Sequence, residues 1–374
     1  MELMINKLIR KIRNKIKREL IFGQWRMACF IDRLYFKDYD SVSTTMRKIN
    51  FCSIIWNGQV NYIDLFFTYT VPSLLQPGNI LALSQIGYRM ELTIYTRTQK
   101  DVEVINSYRD QLDGIKKYMT IKIVPIEWTQ DFNTNDILTE ALIQHFEKCH
   151  GEDAWYFNVP GNKIFGNHSI ANAMKLVEGK DICLACAYAR VNKSSVDTSE
   201  KLQRLQSMQD TVENDELVDL TLQSSHASLL NTFDHCDENR DLSIKAVSDQ
   251  TYAVVMNIPD VFLISVKRDD INFFKRTGRY DNLDKSWARL LVRQNRIKLV
   301  GSSDLYFSIK LTDKGQIPLA SEASSRREHN IGSKERLGHQ YVCNTFYSIW
   351  RGREKGRTLL DNARDQRSGV AIDA

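Results

Sequence analysis

The sequence predicts an α/β protein whose core is a Rossmann-type, mostly parallel sheet with helices on both faces. A basic amphipathic helix precedes this core and an irregular extension follows it. Between residues 48 and 191, short apolar runs alternate repeatedly with segments of helical spacing, joined by short connections. That rhythm gives a parallel sheet covered on both faces. The chain has 374 residues, 43% hydrophobic and 26% charged, enough for one large α/β domain or two smaller ones.

The first element is the basic helix. Ile5, Leu8, Ile9, Ile12, Ile16 and Leu20 recur at three- and four-residue steps and make one stripe. Residues 1–26 hold eight Lys/Arg against two acids, a net +6. Such a helix either lies on an anionic membrane surface through residues 1–22 or packs its stripe on the body or a partner. The core follows. "INFCSIIWNG" reads as a strand closed by an Asn-Gly turn, and "YIDLFFTYTVPSLLQ" as a helix stopped by Pro77-Gly78. "MELTIYT" and "MTIKIVPIEW" are the second and third strands. "TQKDVEVINSYRDQL" and "NDILTEALIQHFEKCH" are the helices after them, the latter capped by Thr134 or Asn135. "DAWYFNVP", "SIANAMKLVEG" and "KDICLACAYARV" supply a fourth strand, a fourth helix and a fifth strand. Beyond Val191 the chain is polar and acidic, with a helix from Thr211 through Gln223. The later runs "TYAVVMNI", "DVFLISV", "RIKLVG" and "LYFSIKL" are strand-like but need not continue the parallel order. From Ala320 onward it is polar and basic, with an apolar island at "YVCNTFYSIW". The predicted organisation is a helical segment over 1–47, an α/β domain over 48–319 with halves 48–192 and 193–319, and a basic extension over 320–374.

Charge and cysteine content exclude several classes. The net charge is +5, but residues 326–357 carry another +5, which leaves the rest of the chain net −6. A body that reads nucleic acid would hold the positive charge itself, so no nucleic-acid partner is expected. No stretch approaches the roughly 18 uninterrupted apolar residues of a spanning helix. The opening residues lack the apolar block of a secretory signal, and seven Cys at sparse spacing fit reduced thiols, so a cytoplasmic setting is expected. Cys183 and Cys186 form a CxxC inside an apolar run with no second pair, which reads as buried strand cysteines.

Ligands of open α/β sheets bind outside the carboxyl ends of the strands, where strand order reverses. The loops "WNGQVNYID", "YTRTQKD" and "VPGNKIFGNHS" qualify, and none is a dinucleotide fingerprint or a P-loop. The pattern Trp56, Gly58, Tyr62-Ile63-Asp64, Pro72-Ser73-Leu74-Leu75, Pro77-Gly78-Asn79 and Tyr95-Thr96 resembles the opening of bacterial glycosyltransferase-like proteins from surface-polysaccharide gene neighbourhoods. Thinner matches extend it over roughly residues 49–312. The resemblance implies a GT-A-like nucleotide-sugar transferase fold, a nucleotide-sugar donor, a glycan acceptor, and Mg²⁺ or Mn²⁺ with the donor. For a transferase, the donor diphosphate is expected between the loops Trp56–Tyr62 and Asn158–Ser169, because both leave strand carboxyl ends, with Trp56, Gly58, Tyr62, Asn158 and Asn162 as donor-binding candidates. His226, in a position such proteins keep, and Asp304, just before an apolar strand, are the catalytic candidates, Asp304 as a base for the acceptor hydroxyl; a satisfied structural histidine and a turn cap are the plain alternatives.

One departure weighs against metal. Where such proteins carry carboxylates after the fourth strand, this chain has Val159-Pro160-Gly161 and Asn167-His168, with no carboxylate between Asp153 and Glu178. An amide offers only a neutral carbonyl oxygen to a hard cation. Arg97, Lys100 or Lys163 are the alternative means of offsetting diphosphate charge, and exposed surface positions are the plain alternative for each. His168 is either a phosphate contact or part of a helix start. The cluster "FDHCDENRD" has no ligand spacing and reads as a solvated loop. The function expected is sugar transfer from a nucleotide donor at the inner face of a membrane. A non-catalytic relative that binds a nucleotide sugar or glycan, or scaffolds an assembly, is the other reading.

Overall fold

The computed structural model describes residues 48–58, 61–126, 134–187, 189–197, 199–208, 210–224, 242–248, 250–256, 260–277, 287, 290–291, 294–312 and 346–352. The basic amino-terminal segment, His226, the "FDHCDENRD" cluster and most of the carboxy-terminal extension lie outside them.

Thirteen strands are described. The first four are β1 (Lys48–Ile54), β2 (Arg89–Thr96), β3 (Thr120–Pro125) and β4 (Trp155–Asn158). Then come β5 (Lys163–Phe165), β6 (Cys183–Cys186), β7 (Ala189–Asn192), β8 (Leu242–Ser248) and β9 (Thr251–Met256). β10 (Asp260–Ser265), β11 (Ile297–Leu299), β12 (Ser308–Thr312) and β13 (Phe346–Arg351) complete the set. Seven of them form the central sheet in the order β11-β6-β10-β4-β1-β2-β3. β1 pairs in parallel with both β2 and β4, β2 with β3, and β6 with β11. β10 runs antiparallel to both its neighbours, β4 and β6. The four core strands are therefore parallel, as the alternation predicts, and the run "DVFLISV" departs from that order.

Helices cover both faces. One apolar layer packs Phe51, Phe66, Phe67, Leu74, Ile105, Phe157, Phe165, Met174 and Phe262. The other packs Cys52, Tyr95, Leu142, Phe146, Tyr156, Phe274 and Trp287. Side chains of successive strand residues fall alternately into the two layers: Phe51 and Cys52, Tyr156 and Phe157. That is the alternation of a pleated strand buried on both sides. Among the described residues no helix is long and apolar enough to cross a membrane.

Two departures from the sequence pattern shape the site. The run "KDICLACAYARV", predicted as one strand, is two: β6 lies in the central sheet, whereas β7 joins a separate sheet, β5-β12-β7. "KIF", within a predicted loop, is β5, held antiparallel to β12. Its bonding partners lie more than 140 residues away, so local pattern carries no trace of them. A third sheet, β13-β9-β8, takes in the apolar island near residue 346. The helix after β1 is less regular than its spacing predicts. It runs from Tyr62 to Leu74 through a wide π-type turn at Phe66–Thr70.

Candidate functional site

Strand order reverses between β1 and β4: β2 and β3 extend the sheet to one side of β1, β4 to the other. The carboxyl ends of β1 and β4 therefore flank the crevice in which ligands of such sheets lie. Three of the donor-binding candidates stand there partly open to solvent. Trp56 and Tyr62 are half-buried, with ring centroids 6.4 Å apart in an edge-on arrangement, and Asn158 is half-buried at the last position of β4. Gly58 is exposed, and a Cβ there would lie 3.4 Å from Trp56 Nε1.

Local chemistry fixes this first loop. Ile55 N–H donates to Tyr95 carbonyl at 2.9 Å, so β1 stays paired up to Trp56. Asn57 N–H donates to Asp101 Oδ1 at 3.2 Å. The second Asp101 oxygen accepts from Thr98 N–H and Oγ1, closing a capping box on the helix Gln99–Ser107. Asn61 Oδ1 accepts from Asp64 N–H at 2.9 Å and starts the helix at Tyr62.

The loop after β4 is used differently. Val159 N–H donates to Cys52 carbonyl at 2.8 Å, carrying strand pairing past Asn158. A Cβ on Gly161 would lie 2.4 Å from Ile55 Cγ2 and 3.0 Å from Tyr62 carbonyl, so the two loops touch here and only glycine fits. Asn162 is buried; its Nδ2 donates to Leu311 carbonyl at 2.7 Å, and its carbonyl accepts from Leu311 N–H at 2.8 Å. This candidate pins β5 to β12. Asn167 Oδ1 accepts from Gly78 N–H at 2.8 Å, and its Nδ2 donates to Glu213 Oε1 at 2.9 Å. His168 is exposed at φ 65°, pressed so close to Gly78 that a Cβ there would meet its ring at 2.4 Å.

The motif that carried the sequence resemblance works on this same loop from below. Asn79 Nδ2 donates to Ser73 and Gly166 carbonyls, and its Oδ1 accepts from Ile170 N–H at 3.0 Å. Gln76 Nε2 donates to Phe165 carbonyl at 2.8 Å, and its Oε1 accepts from Val212 N–H at 2.6 Å. Phe165 N–H donates to Ser73 Oγ. Residues 73–79 are thus a buried amide clamp that fixes the path of residues 165–170. Satisfied buried amides of this kind specify one backbone arrangement. Sequence spacing marks the residues but not this task.

The charged candidates are scattered. Lys163 is buried and ion-paired to Asp260 at 2.9 Å; Asp260 and nearby Tyr306 hold its ammonium above the usual range against the cost of burial. Its charge is already met. Arg97 and Lys100 are exposed. Asp304 is exposed, ion-paired to Arg351, and its carbonyl accepts from Asn214 Nδ2 at 3.4 Å. Cys183 and Cys186 are both buried on β6, and burial raises both thiols, Cys183 to about 12. Among the described residues no group of three His, Cys, Asp or Glu side chains is placed to hold a metal ion. The loop holds no carboxylate, and both amide atoms of Asn167 are committed to structural bonds, so its donor set does not fit Mg²⁺ or Mn²⁺.

No protein-family model and no curated protein matches the chain. Among solved structures, it is similar to a Bacillus anthracis protein assigned as a glucose-1-phosphate thymidylyltransferase, in complex with sucrose. The identity is 10% and the TM-score 0.35, over 78% of this chain and 98% of that one. A mannosyltransferase from Pyrobaculum calidifontis, in complex with GDP-Man and Mn²⁺, is 8% identical with a TM-score of 0.38, over 94% of this chain and 84% of that one. Likenesses this distant carry no argument about activity, and the strand order itself establishes a mixed α/β fold with a mainly parallel seven-stranded sheet.

Proposed function

We propose that the chain is a glycosyltransferase-like protein that takes a nucleotide-sugar donor at the carboxyl ends of β1 and β4 and transfers the sugar to a glycan acceptor. The observation that supports this is the reversal of strand order between β1 and β4, with Trp56, Tyr62 and Asn158 half-open beside it. The Trp56 indole offers a flat face to a base or sugar ring, and the Asn158 amide offers both a donor and an acceptor. Transfer needs a base for the acceptor hydroxyl and charge stabilisation at the departing diphosphate. Asp304 and His226 remain the candidates for the first role. The loop after β4 does not fit a metal for the second, and no step is assigned to one. Docking at the inner face of a membrane through residues 1–22 is part of the same proposal.

A second reading, a protein that binds a nucleotide sugar or glycan without turnover, is favoured by one feature: Asn162, Lys163 and Asn167 are spent on packing and pairing. Thermal-shift measurements against nucleotides and nucleotide sugars, with and without Mn²⁺, test both. Stabilisation by a nucleotide sugar that Trp56→Ala removes, together with release of nucleoside diphosphate on adding acceptor, supports transfer. Binding without release favours the second reading. Absence of any nucleotide effect removes the transferase reading and leaves only the glycan-binding form of the second.

A further inference from the structure

The small sheet β5-β12-β7 carries an arrangement that strand pairing alone does not favour. Lys310, on the central strand β12, lies directly opposite Lys163 of β5 on one side and Arg190 of β7 on the other. Directly opposed residues share a face and stand about 5 Å apart between Cβ atoms, and like charges so placed repel. The alternate residues Ile164, Ile309, Ala189, Leu311 and Val191 pack into an apolar layer on the other face. The face with the three cations is the one from which Lys163 reaches Asp260 and from which Phe165 joins the core of the central sheet.

That face adjoins the crevice. Asp260 begins β10 opposite Cys186, the last residue of β6, and Leu263 stands opposite Phe157 near the end of β4. The row Lys163–Lys310–Arg190 therefore lies at the carboxyl edge of the central sheet. Lys163 takes the Asp260 carboxylate. Among the described residues Lys310 is within ion-pair distance of no carboxylate and is only partly exposed, between two buried neighbours. Burial first, then Arg190, with a smaller push from Lys163, hold its ammonium down to about 8 against the pull of Asp260. An uncompensated charge in such surroundings is costly, and an anion seated on it offsets both the desolvation cost and the repulsion.

We propose that Lys310, with Arg190 beside it, forms an anion site at the carboxyl edge of the sheet that receives the diphosphate of a nucleotide donor. The ligand assignment rests on the transferase reading; the site itself does not. In the complex the two side chains offset the diphosphate charge that the amide-only loop after β4 leaves unmet.

The experiment uses the full chain and inorganic pyrophosphate, followed by thermal shift and titration calorimetry. Wild type is expected to bind pyrophosphate without divalent metal and to melt higher in its presence. Lys310→Met should weaken that binding at least tenfold, while its own Tm without ligand equals or exceeds wild type because a repelled ammonium is gone. Lys310→Arg should retain binding. No pyrophosphate effect on wild type, or full binding by Lys310→Met, overturns the site. Pyrophosphate binding that depends on Lys310, without binding of any nucleotide sugar, upholds the site and removes the transferase reading. Nucleotide-sugar binding that survives Lys310→Met does the reverse. If Lys310→Met does not fold, the wild-type pyrophosphate measurement and Lys310→Arg still decide.

Discussion

His145 should make this fold sensitive to mild acid. The ring is fully buried between Tyr95 and Tyr156, with centroids 5.8 and 5.5 Å away. Its Nε2–H donates to Asn50 carbonyl at 3.3 Å, and its Nδ1 is buried without a partner. Burial depresses its pKa from 6.5 to about 4, against weaker opposing pulls from Asn50 carbonyl and Glu152. Between these values the unfolded chain holds a proton at this position and the folded chain does not. Stability contributed by the neutral ring is thus full above pH 6.5 and is lost as pH falls towards 4. The whole effect is about 3 kcal/mol, of which about 2 kcal/mol falls between pH 6.5 and 5. Glu152, whose carboxyl is held below its usual 4.5 by Lys48, Asn50 and Lys148 despite some burial, releases its own contribution only below that window. Urea denaturation at pH 7.5, 6.5, 5.75 and 5 checks the slope. His145→Gln keeps a donor and cannot titrate, so wild type should lose about 2 kcal/mol more than the variant over that range. Parallel pH profiles for the two proteins would refute the argument.

Gly161→Asp, which would restore a carboxylate to the loop, should bring no Mn²⁺ binding. Its side chain meets Ile55 and the Tyr62 carbonyl, costing about 1–3 kcal/mol of overpacking, to be read as a lower urea midpoint and an unchanged response to Mn²⁺. Asn79→Ala strands Ile170 N–H and two carbonyls and should cost about 3 kcal/mol by chemical denaturation. Asp270 is fully buried and accepts from Trp287 Nε1 and from Nη1 and Nη2 of Arg296. Asp270→Ala leaves that cation unmet and should cost about 3–5 kcal/mol on the same assay. The full chain should bind anionic vesicles in low salt and release them as salt rises. Deleting residues 1–22 should abolish that binding while circular dichroism of the body stays unchanged.

The core was legible because each of its strands is a local signal. "INFCSII", "MELTIYT" and "WYFN" are apolar runs bounded by turn residues, and parallel strands buried on both faces need nothing more. The small sheet was not legible, since "KIF" becomes a strand only through Ser308–Thr312, and the break between Cys186 and Ala189 has no proline or glycine to mark it. At the candidate site, sequence named the loops after β1 and β4, between which the strand order reverses, and the neighbouring rings Trp56 and Tyr62. It gave Asn162 and Lys163 tasks that the geometry assigns to packing, because the partners, Leu311 and Asp260, are distant in the chain. Lys310 went unnoticed for the same reason. Its one local signal is a lysine inside the alternating run "FSIKLT", which becomes informative only once Lys163 and Arg190 are seen on either side.

The reversed strand β10 also governs how the protein can assemble during synthesis. β4 and β6 are made early, yet the position between them stays empty until Ser265 has been translated, roughly 80 residues after Cys186. At ribosomal speeds that interval lasts on the order of 4–16 s. Throughout it, β4 presents an open edge of apolar strand, an invitation to mispairing. A stalled or truncated chain ending before residue 260 would keep that edge exposed indefinitely, and is the form expected to be held by chaperones or lost to aggregation.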